Sequence, residues 1–445
     1  MDKFLITGGK RLEGTVAVGG AKNAALPAMA AALLTDQPVL LHNLPRVRDI
    51  ATMGKLLAHM QAEVEFPWMQ WERAAKSRGA AKPEQPGPAR LRAEKLSHAE
   101  APYELVRTMR ASVLVLGPLL GRTGYARVSL PGGCAIGARP VDLHIKALEQ
   151  MGAEVSTEHG YIEARAPLGL LGAHIVFEKI TVTGTENILM AAALAQGETV
   201  VENCAREPEV TDLAALLVKM GAEIEGAGEA TIRVRGVSQL HGAEHSIIPD
   251  RIEAGTLLAA AAITGGDVTL LHAEPRHLTA VLAKLAEAGA EIELPAPGGD
   301  GSTVRIRGAR VPSPADVSTQ EYPGFPTDMQ AQYMALATQA DGTSILTETI
   351  FENRFLHASE MIRMGADIAI DGRRAVVRGP SRLTGTTVMA SDLRASAGLV
   401  LAALVARGDT LIDRVYHIDR GYERIEEKLS SLGAQIRRVQ EPTNG

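Results

Sequence analysis

Aromatic residues make up only 3% of the 445-residue chain, cysteine occurs twice, and no apolar run approaches the roughly 18 residues that cross a bilayer. Each scarcity excludes something. Binding of single-stranded nucleic acid by stacking needs aromatic platforms, which are in short supply. The net charge of -6 argues further against a polyanion partner, although a local arginine cluster still suits a small anion. Two cysteines without zinc-type spacing, and histidines scattered without a ligand pattern, predict no metal site and fit a reducing compartment. The start, Met-Asp-Lys-Phe-Leu-Ile-Thr-Gly-Gly, lacks the basic and apolar regions of an export signal. The expected setting is therefore the cytoplasm, with no membrane and no nucleic acid as partner. The cores must be built from Ala, Leu, Val and Ile, and the length calls for two or more domains.

What is present is repetition. The phrases Gln61-Ala-Glu-Val-Glu, Gly152-Ala-Glu-Val-Ser, Gly221-Ala-Glu-Ile-Glu, Gly289-Ala-Glu-Ile-Glu, Gly365-Ala-Asp-Ile-Ala and Gly433-Ala-Gln-Ile-Arg start at intervals of 91, 69, 68, 76 and 68 residues. Such regularity signals internal duplication. Each phrase follows an amphipathic segment whose end is marked by Gly in all but the first, which predicts a helix running into a strand. Upstream of the phrases lie alanine-rich runs such as Ala259 to Ile263 and Leu399 to Ala406, each followed by turn residues and a strand. Helices this apolar around their circumference should be buried beneath strands. The expected fold class is α/β: six units in two domains of three, cut near His245 to Asp250. The long first interval places an inserted surface loop between Phe66 and Ala101, with Trp68 and Trp71 read as its anchors.

The chemistry-bearing residues sit at loops and helix entrances. In Leu130-Pro-Gly-Gly-Cys-Ala-Ile-Gly-Ala-Arg-Pro, Cys134 lies in a glycine-rich loop five residues before Arg139, where a guanidinium favours thiolate over thiol. Two readings stand: a reactive thiol, or a small turn residue with Arg139 capping a helix that opens at Pro140. Cys204 reads as a packing residue. Arginines occur in Thr108-Met-Arg-Ala-Ser, Glu352-Asn-Arg-Phe, Ser391-Asp-Leu-Arg-Ala-Ser and His417-Ile-Asp-Arg-Gly-Tyr, each at the start of a helix or the end of a strand. There they suit a doubly anionic small molecule, or else surface salt bridges. Gly19-Gly-Ala-Lys-Asn-Ala-Ala puts Lys22 and Asn23 just ahead of an apolar helix, where the plain alternative to a site role is Asn23 as an N-cap and Lys22 as solvated. In Phe325-Pro-Thr-Asp-Met-Gln-Ala-Gln, Asp328 is either a cap or a general base at the lip of a cleft.

Together these phrases resemble the UDP-N-acetylglucosamine enolpyruvyl transferase family from end to end. The longest shared motifs are those at 19–25, 130–144, 325–332, 352–355 and 417–426. The resemblance implies two inside-out α/β barrel domains of three repeats each, one spanning 22–248 and the other 1–21 with 249–445, and an active site between them. It implies transfer of the enolpyruvyl group of phosphoenolpyruvate to the sugar 3-hydroxyl, without metal or organic cofactor, as the first committed step of peptidoglycan synthesis. Cys134 would be the general acid and the thiol that fosfomycin alkylates, and Asp328 the base. Lys22, Arg139 and Arg420 would hold phosphoenolpyruvate, with Arg354 and Arg394 nearby. Asn23, Arg110, Pro140, Val141, Asp142, Leu143, Lys179, Val182, Asp328 and Ile350 fall at nucleotide-sugar positions. The rival readings are a transferase acting on shikimate 3-phosphate, which would not need the Cys134 loop, and a silent sensor of nucleotide-sugar. The oligomeric state is left open.

Overall fold

The computed structural model describes residues 2–68, 87–96, 98–107, 109–130, 141–295 and 302–440. The chain divides into two compact units. One is split along the sequence and contains, of the described residues, 2–19 and 249–440; the other is the continuous unit, 20–130 with 141–248.

The repeat phrase marks a backbone requirement. At each of its six occurrences a helix ends and a strand begins, as from Pro208–Lys219 to Glu223–Glu225 and from Leu356–Arg363 to Asp367–Asp371. The residue that opens the phrase has positive φ every time: 87° at Gly152, 102° at Gly221, 92° at Gly289, 105° at Gly365, 97° at Gly433 and 68° at Gln61. Glycine adopts this left-handed region freely, whereas Gln61 does so against its Cβ.

Among the described residues the strands form six four-stranded sheets with one shared order, three in each unit. In a representative sheet, His174–Val176 runs parallel to Glu198–Glu202, which pairs antiparallel with Thr231–Arg235, itself antiparallel to Glu223–Glu225. Between the two parallel strands the chain forms the alanine-rich helix, here Val182–Ala192. These helices are buried as their composition requires. Every residue from Ile252 to Ile263 in Arg251–Ile263 is buried, and so is every residue from Arg394 to Leu404 in Leu393–Val405. Close packing between such helices has a visible cause at Gly117, where an added Cβ would sit 2.3 Å from the Asn187 carbonyl oxygen.

Three sheets are completed from distant sequence. Strand Asp2–Thr7 lies between Asp409–Asp413 and Gln435–Gln440, antiparallel to both. Strand Glu13–Ala17 belongs to the split unit beside Asp267–Leu271, yet it leads into helix Lys22–Ala31 of the continuous unit. Conversely, Glu244–Ser246 pairs with Val39–His42 in the continuous unit and leads into Arg251–Ile263 of the split one.

The segment 66–101 is less loop-like than expected. Ala89–Arg92 forms an inner strand of a sheet, and Glu100–Ala101 pairs parallel with Tyr125–Ser129. The extra length is therefore confined to the connection between Glu63–Glu65 and Ala89–Arg92, of which residues 69–86 are outside the described ones. The sequence reading went wrong because alternation in Ala-Arg-Leu-Arg is too short to stand out beside the prolines before it. Trp68 is buried, stacked on Phe66 with ring centres 4.8 Å apart and with the Arg46 guanidinium 6.0 Å from its ring. Trp71 lies outside the described residues.

Candidate active site

In the split unit one carboxylate gathers two cations from segments far apart in sequence. Asp328 stands in the 3-10 turn Thr327–Met329 ahead of helix Gln330–Ala337. The N-cap of that turn is Pro326, so Asp328 does not serve as its cap. Its Oδ1 accepts from Arg354 Nη2 at 2.8 Å and its Oδ2 from Arg394 Nε at 3.1 Å. Both arginines are buried, at 5% and 4% exposure, so their charges depend on this partner. Burial by itself would depress the Arg394 guanidinium, but the Tyr422 oxygen, Asp328 and Asp250 outweigh it and raise it. Among the described residues, Nη1 of Arg354 and Nη1 of Arg394 are buried without a hydrogen-bond partner. Each guanidinium thus gives Asp328 one nitrogen, while its Nη1 has no hydrogen-bond partner among the described residues.

Local sequence explains how the arginines reach this place. Asp392 caps helix Leu393–Val405, its Oδ1 accepting from the backbone N–H of Arg394 at 2.9 Å and of Ala395 at 3.0 Å, which puts Arg394 in the first turn. Arg354 and Ile350 lie in the loop between strand Thr343–Thr347 and helix Leu356–Arg363. Arg420 ends the 3-10 turn Val415–Arg420, not a strand or a helix entrance as its phrase suggested, because Arg414 turns the chain with a φ of 60°. His417 in the same turn is pulled down by burial and by Arg420, against Asp392. Behind Asp328, Gln332 Nε2 donates to the Asp328 carbonyl at 3.0 Å, to the Tyr422 hydroxyl at 3.1 Å and to Thr256 Oγ1 at 3.0 Å. The Arg394 guanidinium lies 5.2 Å from the Tyr422 ring. Burial pushes the Tyr422 hydroxyl up, Arg394 opposing.

The continuous unit holds the other candidates. Lys22 opens helix Lys22–Ala31, and the N-cap is Ala21, so Asn23 is the second helical residue and not a cap. Nor is Lys22 solvated: it is 9% exposed, with Nζ 3.3 Å from Asp49 Oδ2. The apolar helix buries its own first turn, which the sequence did not reveal. Arg110 opens the 3-10 turn Arg110–Val115; Val141 is the N-cap of helix Asp142–Gln150, which carries exposed Asp142 and buried Leu143. Lys179 is exposed just before Val182, the first residue of helix Val182–Ala192, whose cap Thr181 accepts from Gly184 N at 3.2 Å.

One amide ties three of these segments together. Asn187 Oδ1 accepts from Gly117 N at 2.6 Å, while its Nδ2 donates to the Val113 carbonyl at 3.0 Å and faces His144 Nδ1 at 3.0 Å. Its helix carries Val182, the helix of His144 carries Leu143, and the 3-10 turn of Val113 carries Arg110. Burial pulls His144 down to about 4, with Asp142 opposing. Asn187, Asp49 and Gln332 were missed from sequence. The signal available for Asn187 was a polar pair, Glu186-Asn187, inside an otherwise apolar run.

Cys134, Arg139 and Pro140 lie outside the described residues. Cys204, by contrast, is buried, its thiol is raised to about 11 by burial, and Sγ lies 3.2 Å from the Val201 carbonyl. The described residues contain no group of three or more His, Cys, Asp or Glu placed to hold a metal ion. No helix among them is long and apolar enough to cross a membrane.

Comparison with known proteins agrees with this architecture. The sequence profile of EPSP synthase (3-phosphoshikimate 1-carboxyvinyltransferase) matches residues 6–429. The chain is 63% identical over 441 residues, covering 99% of it and 97% of the relative, to the UDP-N-acetylglucosamine 1-carboxyvinyltransferase of Koribacter versatilis (strain Ellin345). It is 60% identical over 440 residues, covering 99% and 100%, to the protein of that name from Solibacter usitatus (strain Ellin6076). Among solved structures, the enolpyruvyl transferase NikO from Streptomyces tendae superposes with a TM-score of 0.85 at 25% identity over 99% of both chains. EPSP synthase from Acinetobacter baumannii shares the fold at a TM-score of 0.74 and 19% identity, over 99% of this chain and 100% of its own. A profile match along nearly the whole sequence, with end-to-end relatives of this identity, means that the chain belongs to the EPSP synthase family of enolpyruvyl transferases.

Proposed function

We propose that this chain transfers the enolpyruvyl group of phosphoenolpyruvate to the 3-hydroxyl of UDP-N-acetylglucosamine and releases phosphate, the first committed step of peptidoglycan synthesis. The observation that carries the reading is the Asp328 clamp: a carboxylate between two buried guanidiniums, each with an Nη1 that has no hydrogen-bond partner among the described residues. Phosphoenolpyruvate has two anionic ends, which Lys22, Arg139 and Arg420 are proposed to hold, with Arg354 and Arg394 nearby.

The chemistry then needs an acid and a base. The sugar O3 attacks C2 of phosphoenolpyruvate as Asp328 takes its proton, and C3 gains a proton from the Cys134 thiol. The resulting tetrahedral adduct loses a C3 proton and phosphate, which restores the double bond on the new ether. Asn23, Arg110, Pro140, Val141, Asp142, Leu143, Lys179, Val182 and Ile350 are assigned to the nucleotide-sugar. The six sheets, each with a buried helix, support the finer reading of the fold as two inside-out barrels of three repeats. We place the reaction in the cytoplasm.

The choice of acceptor rests on the relatives above half identity, which are named for UDP-N-acetylglucosamine. The competing acceptor is shikimate 3-phosphate, for which the family profile is named. A phosphate-release assay separates them: release from phosphoenolpyruvate with UDP-N-acetylglucosamine is expected, and release only with shikimate 3-phosphate overturns the assignment. Fosfomycin labelling should disappear in Cys134→Ala; labelling that persists, for example at Cys204, removes Cys134 from its role.

A further inference from the structure

The Asp328 turn is held by a residue that no motif singled out. Glu348 follows strand Thr343–Thr347, is 1% exposed, and donates its backbone N–H to the Arg373 carbonyl at 2.8 Å. Its side chain accepts four hydrogen bonds. Oε1 takes Thr319 Oγ1 at 2.9 Å, Ile350 N at 2.9 Å and Phe351 N at 3.0 Å, and Oε2 takes Thr327 Oγ1 at 2.9 Å. Thr319 is locked in turn: its N–H donates to the Thr347 carbonyl at 2.9 Å, and its Oγ1 accepts from Thr349 N at 2.9 Å. The carboxylate therefore extends a rigid sheet edge into two loops at once.

We propose that Glu348 is a positioning residue for the transfer reaction, fixing Asp328 through Thr327 and fixing Ile350 and the Arg354 loop through the Ile350 and Phe351 amides. The inference rests on the transferase reading, with Asp328 as base. The bland alternative is a buried carboxylate that merely closes its own turn, and two of its four bonds fit that description. The Thr327 bond does not, since it crosses 21 residues to the immediate neighbour of Asp328. Gln332 holds the same turn from the other side through the Asp328 carbonyl. Between these supports the carboxylate has little freedom to turn away from Arg354 and Arg394. A base displaced by about 1 Å loses on the order of 100-fold in rate, so such support is worth having.

The test is Thr327→Val in the full chain, which removes one hydroxyl of nearly the same shape and leaves the other three Glu348 bonds in place. The expected result is a fall in kcat of about tenfold, with KM for UDP-N-acetylglucosamine within about twofold of normal, and recovery in Thr327→Ser. In an Asp328→Asn background the same substitution should have no further effect on kcat, because the group it positions is gone. Normal kcat in Thr327→Val, a Thr327→Ser variant as slow as the valine, or full multiplicative losses in the double variant would each overturn the inference. Should the unmodified chain release no phosphate with UDP-N-acetylglucosamine, the transferase reading fails separately, and the crystal structure of Thr327→Val decides the positioning claim. An Asp328 carboxylate swung off either arginine sustains it, and one still bonded to both overturns it.

Discussion

The two units build candidate sites from opposite materials. In the split unit, charge holds charge: Asp328 is gripped by Arg354 and Arg394, and Glu348 gathers four donors. In the continuous unit, which also buries the Lys22–Asp49 ion pair, the hub that ties three segments is neutral, an asparagine amide bridging a glycine N–H, a carbonyl and an uncharged imidazole. Charged groups buried this way are costly unless paired, so the split unit keeps its cations only by holding the anion in place. A neutral hub costs less to bury and orients backbone rather than reacting groups. In the proposed reading the split unit supplies the base Asp328, while the continuous unit supplies Lys22 and most of the positions assigned to the nucleotide-sugar.

The contrast is open to attack in order of effect. Asp328→Ala leaves two buried guanidiniums unpaired and should destabilise the split unit by about 3–5 kcal/mol in denaturant unfolding, whereas Asp328→Asn should mainly lower turnover, by about 100-fold or more. A turnover close to normal in the asparagine variant would remove Asp328 from the chemistry. Asn187→Ala strands the Gly117 N–H and should cost about 1–3 kcal/mol while raising KM for the nucleotide-sugar more than it lowers kcat. A kcat-only effect would erase the distinction between the units.

Acid should test the neutral centre next. Burial pulls His144 down to about 4 in the folded state against its ordinary 6.5, so its neutral form favours folding fully above pH 6.5, and that advantage drains away as pH falls through about 4. The loss amounts to about 3 kcal/mol at most, and His144→Asn should flatten the slope in pH-dependent melts. Glu186 has the reverse sign. Burial, with Glu209 and Glu207, raises its carboxyl well above 4.5, so its contribution is present below pH 4.5 and lost as pH rises through the higher folded value. Glu186→Gln should therefore stabilise the protein near neutrality and do nothing in acid; equal effects at both pH values would refute this. The smallest change is Gln61→Gly, which relieves a φ of 68° and should gain about 0.5–1 kcal/mol, read as a shift in melting temperature.

Periodicity was readable wherever the backbone itself demanded a residue. The glycine that opens five of the six phrases is required by positive φ, and alanine-rich runs are required by burial on all sides, so both survive in the sequence as pattern. Pairings were not readable, because a carboxylate does not advertise its partner. Asp328 stands 26 residues from Arg354 and 66 from Arg394, and only the fold brings them together. The same blindness misjudged Lys22, whose charge suggested solvent although Asp49 receives it in the interior. Asn23 was taken for a cap because its residue type suits that role, while the helix in fact begins one residue earlier at Lys22.

The strand Asp2–Thr7 has a consequence for biosynthesis. Phe4 must find Ile412 on one side and Arg438 on the other, so a segment made at the outset waits for about 400 residues of further synthesis before its sheet can close. At ribosomal speeds of about 5–20 residues per second the delay is roughly 20–80 s, during which an unpaired apolar strand is exposed to wrong partners. The continuous unit waits about half as long, for Glu244–Ser246 to reach Val39–His42. A newborn chain therefore carries one finished half and one unfinished half, and the second is where chaperones would be expected to bind.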